Sequence, residues 1–437
     1  MLTQHRSVAG GTPRGETQPG GCDYNHLRRT LEDNIETQTV RSAGGEVSKA
    51  WFLATLLFAV FGTQNAVMIV PPLLVDIATD LNTTVPVTGQ LATATAAAWA
   101  VSLLTIGPLS DSFGRRPVAL AGLLLVTGSV LASAFAPNLA TLLVLRVLTG
   151  LGGGTIPATS VGVVSDVISP ARRAKAVSAI IAINGLAFAV AAPIAAVLAD
   201  WRGWQFAFLA AGAFMAVGFL ANVIWYPLDR TDRVRSLAFF SRYWALLSLR
   251  YFRVAVAVGV TQRIAFWGAG AYLAAYLIET FGVSEAFVAL PLGIYGTGQV
   301  IGSYAGGYVA ARKERALLMA VTSVCGGVFA MLCFSFDLGL WTTVVVATAA
   351  TILISVTMPA MLAASTEYSG DSKSTGASLM GFSNQTGGAL GAAIGGALLA
   401  TTGYAGIGYL FLGVTIASSL MMPLFGRQFG ESAGTDK

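Results

Sequence analysis

From residue 51 onward the chain alternates between long apolar runs and short polar breaks. A membrane-crossing helix needs about 20 predominantly apolar residues. Twelve runs reach that length: 51–75, 86–110, 117–136, 139–165, 174–199, 204–227, 252–278, 286–310, 316–336, 340–366, 374–401 and 404–426. Helices are expected over all of them, because a backbone in lipid must pair its polar groups within the segment. A β-barrel would show alternating strands of about ten residues, and these runs are longer and uniformly apolar. The pattern predicts an all-α membrane protein of twelve transmembrane helices.

The polar breaks orient the bundle. Placing the N-terminus inside collects Arg115, Arg116, Arg172, Arg173, Lys175, Arg230, Arg233, Arg235, Arg242, Arg250, Arg253, Arg312, Lys313, Arg315 and Lys373 on the cytoplasmic side. The other side keeps only Arg202, together with Asp76, Asp80, Asp200, Glu279, Glu285 and Asp337. Lys and Arg favour cytoplasmic loops, so both termini are expected in the cytoplasm of a multi-pass protein of the cell (inner or plasma) membrane. The formal charge of +5 is then a topology signal, and nucleic acid is not an expected partner; the lipid bilayer is.

The longest cytoplasmic break, 228–251, divides the membrane part into six and six. The expected organisation is a disordered polar tail (1–48), an N-terminal six-helix half (49–227), a cytoplasmic linker (228–251), a C-terminal six-helix half (252–427) and a short tail (428–437). Thr63-Gln64 and Lys175 recur at equal spacing as Thr261-Gln262 and Lys373, which supports two six-helix pseudo-repeats.

Composition narrows the chemistry. The chain is 55% hydrophobic and 11% charged, about half the charged share of a soluble domain. Both His, at 5 and 26, and one of the three Cys, Cys22, lie in the polar tail. No metal-ligand spacing, disulfide framework, phosphate loop or nucleophile-with-base constellation is present, so neither an enzyme nor a metal or organic cofactor is expected.

The break at 107–117 reads GPLSDSFGRRP. Gly107 and Gly114 allow close backbone approach and a tight turn, and Arg115 and Arg116 anchor the third span at an anionic surface. Asp111 ends the second span. It either accepts hydrogen bonds and pairs with an Arg, latching helices on one side, or is a solvated residue of a topogenic loop. This stretch resembles the G-x-x-x-D-x-x-G-[RK]-[RK] loop of the major facilitator superfamily. LRVLTGLGGG, Leu145 to Gly154, resembles that family's R-x-x-x-G-x-G motif. VMIVPPLLVDIATDL, Val67 to Leu81, is similar to the first-helix pattern of its drug:proton antiporters and sugar-efflux relatives. The resemblance implies the major facilitator fold, a central cavity and rocking between the halves. It also implies a gating and coupling motif of Gly107, Asp111, Gly114, Arg115, Arg116, Arg146, Gly150 and Gly154, with Asp111 as a charge latch and Arg146 linked to proton transfer. The second half keeps Arg312 and Lys313, but Tyr308 stands where the acid would be.

Ionisable groups inside a membrane are costly and are functional candidates. Arg146 and Arg263 are the two clear ones, with backbone-bonded and snorkelling readings as their alternatives. Gln64, Asn65, Gln262, Gln299, Asn384 and Gln385 share a depth with Arg263, and Trp267 and Tyr295 supply aromatic walls. Together they are the candidate substrate cavity, although amides also simply bridge helices. Arg263, without an acid in its own span, favours neutral or acidic cargo. No carboxylate lies at mid-depth, and Asn65 cannot titrate. Gly-x-x-x-Gly spacings at Gly150/Gly154 and Gly302/Gly306 are read as helix crossings in a monomer.

The function expected is secondary active transport of a small organic solute by alternating access, as proton-coupled efflux of a drug-like compound, sugar or metabolite. The alternatives are a facilitator or importer of a neutral or anionic metabolite, and a transport-inactive sensor or scaffold.

Overall fold

The computed structural model describes residues 39–228, 239–367 and 373–422. The closing tail expected at 428–437 lies outside them, as do residues 1–38 of the leading one. The last ten residues of that expected tail are folded. β1 (Thr39–Ser42) and β2 (Gly45–Ser48) form an antiparallel hairpin, with Thr39 opposite Ser48 and Ser42 opposite Gly45. Gly45, at φ +103°, makes the turn. Backbone bonds fasten the hairpin to the end of the first half: Gly44 N–H donates to Ile224 O at 2.9 Å, and Leu228 N–H to Arg41 O at 2.9 Å.

Ser48 then caps α1 (Lys49–Met68), its hydroxyl accepting from Trp51 N–H. Pro71 and Pro72 cannot continue an α-helical ladder. The first span therefore passes through a short 3-10 turn, Pro71–Leu73, into α2 (Leu74–Asp80). α3 (Val85–Thr88) and α4 (Gln90–Phe113) form the second span, and α5 (Arg115–Ser133) the third. The fourth is split at Gly154 into α6 (Leu139–Gly153) and α7 (Thr155–Val167). α8 (Pro170–Arg202) and α9 (Trp204–Trp225) close the first half.

The break expected as a linker contains a helix of its own, α10 (Phe239–Ser248). The second half follows as α11 (Arg250–Phe281), α12 (Glu285–Ala310), α13 (Arg315–Ser335), α14 (Leu340–Ser355), α15 (Thr357–Glu367) and α16 (Lys373–Met421). Among the described residues eleven helical segments are long and apolar enough to cross a membrane. The last, Thr375–Met421, is 47 residues long, about twice what one crossing needs. It is broken at Gly403, whose φ of 70° and ψ of −166° no right-handed helix contains. The two spans expected on either side of that glycine are thus both present, and the fold is the all-α, twelve-span membrane bundle.

The halves meet along two antiparallel seams, α4 against α16 and α8 against α12. Buried apolar residues form three clusters. One draws on both halves: Ile69, Leu73, Ile77, Leu91, Ala195 and Phe208 pack in the same core as Phe266, Tyr272, Leu277, Leu292 and Phe411. It lies at the end of the bundle that carries the acidic breaks. A second, around Phe52, Leu123, Val164 and Ile180, belongs to the first half alone. A third, around Phe252, Met319, Met361 and Leu379, belongs to the second, with only Leu104 of the first half packed against it. Both lie at the basic end. Among the described residues the bundle is thus welded at its acidic end and has separate cores at the other.

Candidate functional site: a cavity between the halves

Just beneath the shared core is a cavity of about 720 Å3 of empty space, part of it open. The first half contributes Val67, Met68 and Pro71 from the first span, Ala92 and Ala96 from α4, and Ala192 from α8. The second contributes Trp267, Gly270 and Ala271 from α11, Leu292 and Tyr295 from α12, and Gln385, Gly388 and Ala392 from α16. No lining residue is charged.

The space is created by small residues. Ala92, Ala96, Gly388 and Ala392 face each other where α4 and α16 run together; a Cβ added at Gly388 would touch Trp267 at 3.3 Å and Ala96 at 3.6 Å. Tyr272 closes the acidic side, its hydroxyl donating to Ala392 O at 2.7 Å and lying tight against Gly89 and Gly396.

Of the predicted cavity residues, Trp267, Tyr295 and Gln385 line it. Asn384 stands directly behind. Trp267 Nε1–H donates to Asn384 Oδ1 at 3.1 Å, and Asn384 Nδ2–H donates to Gln385 Oε1 at 3.0 Å. Gln64 is half-buried one turn below Val67 and Met68 on the same helical face. Neither it nor Asn65 lines the cavity, and nor does Gln299, whose buried Oε1 has no hydrogen-bond partner.

The strongest polar candidates hold helices together. Gln262 is 1% exposed; it donates to Ser323 and, at 2.9 Å, to Ser418, and accepts from Thr357 at 3.4 Å. It therefore ties α11 to α13, α15 and α16. Arg263 is buried, its guanidinium over the Phe266 ring at 4.7 Å and donating to Ile354 O at 3.4 Å. Both contacts lie within the second half, beside the cavity-lining Tyr295. Arg146 is fully buried inside the first half. It donates to Ser133 Oγ at 2.7 Å and Ala66 O at 3.3 Å, and covers the Phe208 ring at 4.9 Å. No carboxylate contacts it among the described residues.

At the basic end, Asp111 and Gly107 lie in α4, but their side-chain surroundings are outside the described residues. Gly114, at φ +96°, makes the turn into α5. Arg115 lies against Gly162 of α7, and Arg116 Nη2–H donates to Val223 O of α9 at 2.8 Å. The GRR triplet thus braces three helices of one half. Gly150 and Gly154 are crossing points: a Cβ at Gly150 would sit 2.2 Å from Thr95 O, and one at Gly154 2.6 Å from Ser102. Ser102 Oγ–H donates to Leu151 O at 2.7 Å in that crossing. The motif's glycines therefore weld α4 to the fourth span.

Sequence reasoning passed over Val67, Met68, Pro71, Ala92, Ala96, Ala192, Gly270, Ala271, Leu292, Gly388 and Ala392. Val67, Met68 and Pro71 lie in the quoted stretch from Val67 to Leu81; for Ala92, Ala96, Gly388 and Ala392 the signal is the run of small residues in α4, ATATAAA at 92–98, matched by the Gly- and Ala-rich stretch at 387–397.

The sequence profile of the Major Facilitator Superfamily matches residues 56–337 and, again, 255–434. Among curated relatives, an uncharacterized MFS-type transporter of Bacillus subtilis, YbcL, is 26% identical over 60% of this chain and 66% of its own length. The niacin transporter NiaP of Acinetobacter baylyi is 38% identical over 24% of each chain. Both matches span less than two thirds of the relative. A crystal structure of a bacterial homolog of the human lysosomal transporter Spinster, in an inward-facing and occupied conformation, superposes with a TM-score of 0.67 at 15% identity, covering 87% of this chain and 96% of that one. Two six-helix halves around an uncharged central cavity, and a family profile that fits the first nine spans and, again, the second half, lead to one assignment: the chain belongs to the Major Facilitator Superfamily, as a multi-pass membrane protein.

Proposed function

We propose that the chain carries a small organic solute through the cavity between its halves by alternating access, as a proton-coupled exporter of the drug:proton antiporter and sugar-efflux type. The observation that carries this reading is the unequal packing of the two ends. A core shared by both halves seals one end of the cavity, while at the other, among the described residues, the halves keep separate cores joined at Leu104. Lys and Arg gather at the second end, which the positive-inside rule puts in the cytoplasm. The structure then corresponds to a state closed to the outside.

The resemblance of GPLSDSFGRRP to the family loop, and of the first span to the antiporter pattern, supports proton-driven export. No carboxylate lines the cavity, so the coupling proton would be held elsewhere, with Asp111 as the candidate. The same observation favours a second reading, an uncoupled facilitator of a neutral metabolite.

Flux of a broad solute panel in proteoliposomes, with and without an imposed pH gradient, separates these. A gradient-dependent rate supports the exporter, and a gradient-independent one the facilitator. Absence of flux for every solute leaves a scaffold. Asp111→Asn is expected to slow flux about tenfold or more while the protein remains folded; an unchanged rate removes Asp111 from the cycle.

A further inference from the structure

Three polar side chains at the cavity wall form a directed chain. An indole N–H can only donate, so the bond from Trp267 Nε1 fixes which end of the Asn384 amide faces it: the oxygen, at 3.1 Å. The Asn384 nitrogen is thereby turned toward Gln385 and donates to Gln385 Oε1 at 3.0 Å. That bond in turn fixes the Gln385 amide, whose Nε2 has no partner among the described residues. Gln385 is 8% exposed and lines the cavity.

Its Nε2 keeps accessible surface and opens on the cavity, so an acceptor there must come from water or from a solute. The rest of the lining sets the other half of the requirement. Eleven of the fourteen lining residues are aliphatic, Gly, Pro or Met, and none is charged. The two intramembrane guanidinium groups are each taken up inside one half, by Ser133 and the Phe208 ring for Arg146 and by Ile354 O and the Phe266 ring for Arg263. A charged solute would lose its hydration there with no counter-charge to replace it.

We infer that the cavity selects uncharged, mainly apolar molecules carrying one hydrogen-bond acceptor, such as a carbonyl, ether or aromatic nitrogen. Gln385 Nε2 is the group that reads the acceptor. Asn384 and Trp267 act as positioning residues that keep a donor, and not an oxygen, turned to the solute. The inference rests on the transport reading of this cavity and names its substrate class.

The test uses two probes with one carbon skeleton, benzophenone and diphenylmethane, which differ by a carbonyl oxygen. Tritium-labelled benzophenone is photolysed with the full-length chain in lipid nanodiscs, radiolabelled peptides are mapped, and unlabelled benzophenone or diphenylmethane, added before irradiation, competes. Saturable label is expected on peptides holding Met68 or Gly270. Diphenylmethane should compete about 3–10-fold less well than benzophenone, the worth of one net hydrogen bond. Gln385→Met keeps the shape and should equalise the two competitors by weakening benzophenone alone. Trp267→Phe frees Asn384 to turn over and should narrow the ratio between the two probes, whatever the smaller ring does to the affinity of both.

Equal competition in the wild-type protein, a preference that survives Gln385→Met, or no saturable label on cavity peptides each overturns the inference. The carrier reading fails separately. Selective labelling in a chain without flux keeps the site and removes the carrier, whereas flux without acceptor preference removes only this assignment.

Discussion

At the residue scale, the side chains that look most functional in the sequence are those the fold uses as rivets. Arg146 spends its hydrogen bonds on Ser133 and Ala66 O and its charge on the Phe208 face. Removing it opens a cavity and takes a donor from Ala66 O and from Ser133 Oγ, which keeps its own bond to Ser129 O. Arg146→Ala is therefore expected to lower stability by about 2–4 kcal/mol, measured as earlier thermal unfolding in detergent. Wild-type stability would show that the Arg holds nothing. Arg263 makes the opposite case for function. Its neighbours are Phe266 and Ile354 O, so Arg263→Met should leave the apparent KM of any transported solute within about twofold, whatever it does to stability. A large rise in KM would return Arg263 to the solute's path.

At the element scale, glycine placement decides how close two spans come. The contrast between Gly150 and Gly413 makes this measurable. A methyl at Gly150 would meet Thr95 O at 2.2 Å and Ala98 Cβ at 2.7 Å, whereas nothing lies within 4 Å at Gly413. Gly150→Ala should separate α4 from the fourth span at a cost of about 1–3 kcal/mol. Gly413→Ala should be neutral or stabilise by up to about 1 kcal/mol through helix propensity. Equal melting of the two variants would show that the crossing is slack. The same contrast explains what was legible beforehand. Span positions follow from apolar length and from the Lys and Arg in the breaks, because bilayer thickness and charge burial impose both. The break at Gly403 was visible as a gap between runs. The cavity was not legible, because Gly270, Gly388, Ala92, Ala96 and Ala192 build it by what they lack. A missing side chain carries no chemical signature until the facing helix is known. Gln262 and Arg263 were legible as unusual, but sequence alone could not tell which face of α11 they occupy. The hairpin at 39–48 escaped notice because its short strands are largely polar and draw stability from the end of α9.

At the scale of the whole molecule, a carrier must break at its acidic end the contacts that this structure makes there. Among the described residues the Glu285 carboxyl lies against that of Asp76 across the halves, and beside it Asp200 Oδ1 accepts from Ala286 N–H, at the start of α12, at 3.3 Å. Another contact, close by, does not cross: Asp80 Oδ2 accepts from Trp204 Nε1–H and Gln205 Nε2–H at 2.9 Å, all within the first half. The Asp200 and Asp80 contacts form an internally controlled pair. In a background with Cys22, Cys325 and Cys333 replaced by Ser or Ala, a short reducible bifunctional reagent would join cysteines placed at 200 and 286, or at 80 and 205. If the halves rock about the cavity, the first link holds the acidic end shut, and flux should fall about tenfold or more and recover on reduction. The second link ties together groups that move as one body and should leave flux nearly unchanged. Flux indifferent to the 200–286 link would mean that this end never opens. Flux lost with both links would mean that the first half flexes internally. In either case the shared core around Leu73, Tyr272 and Leu292 would be a permanent floor and not a gate.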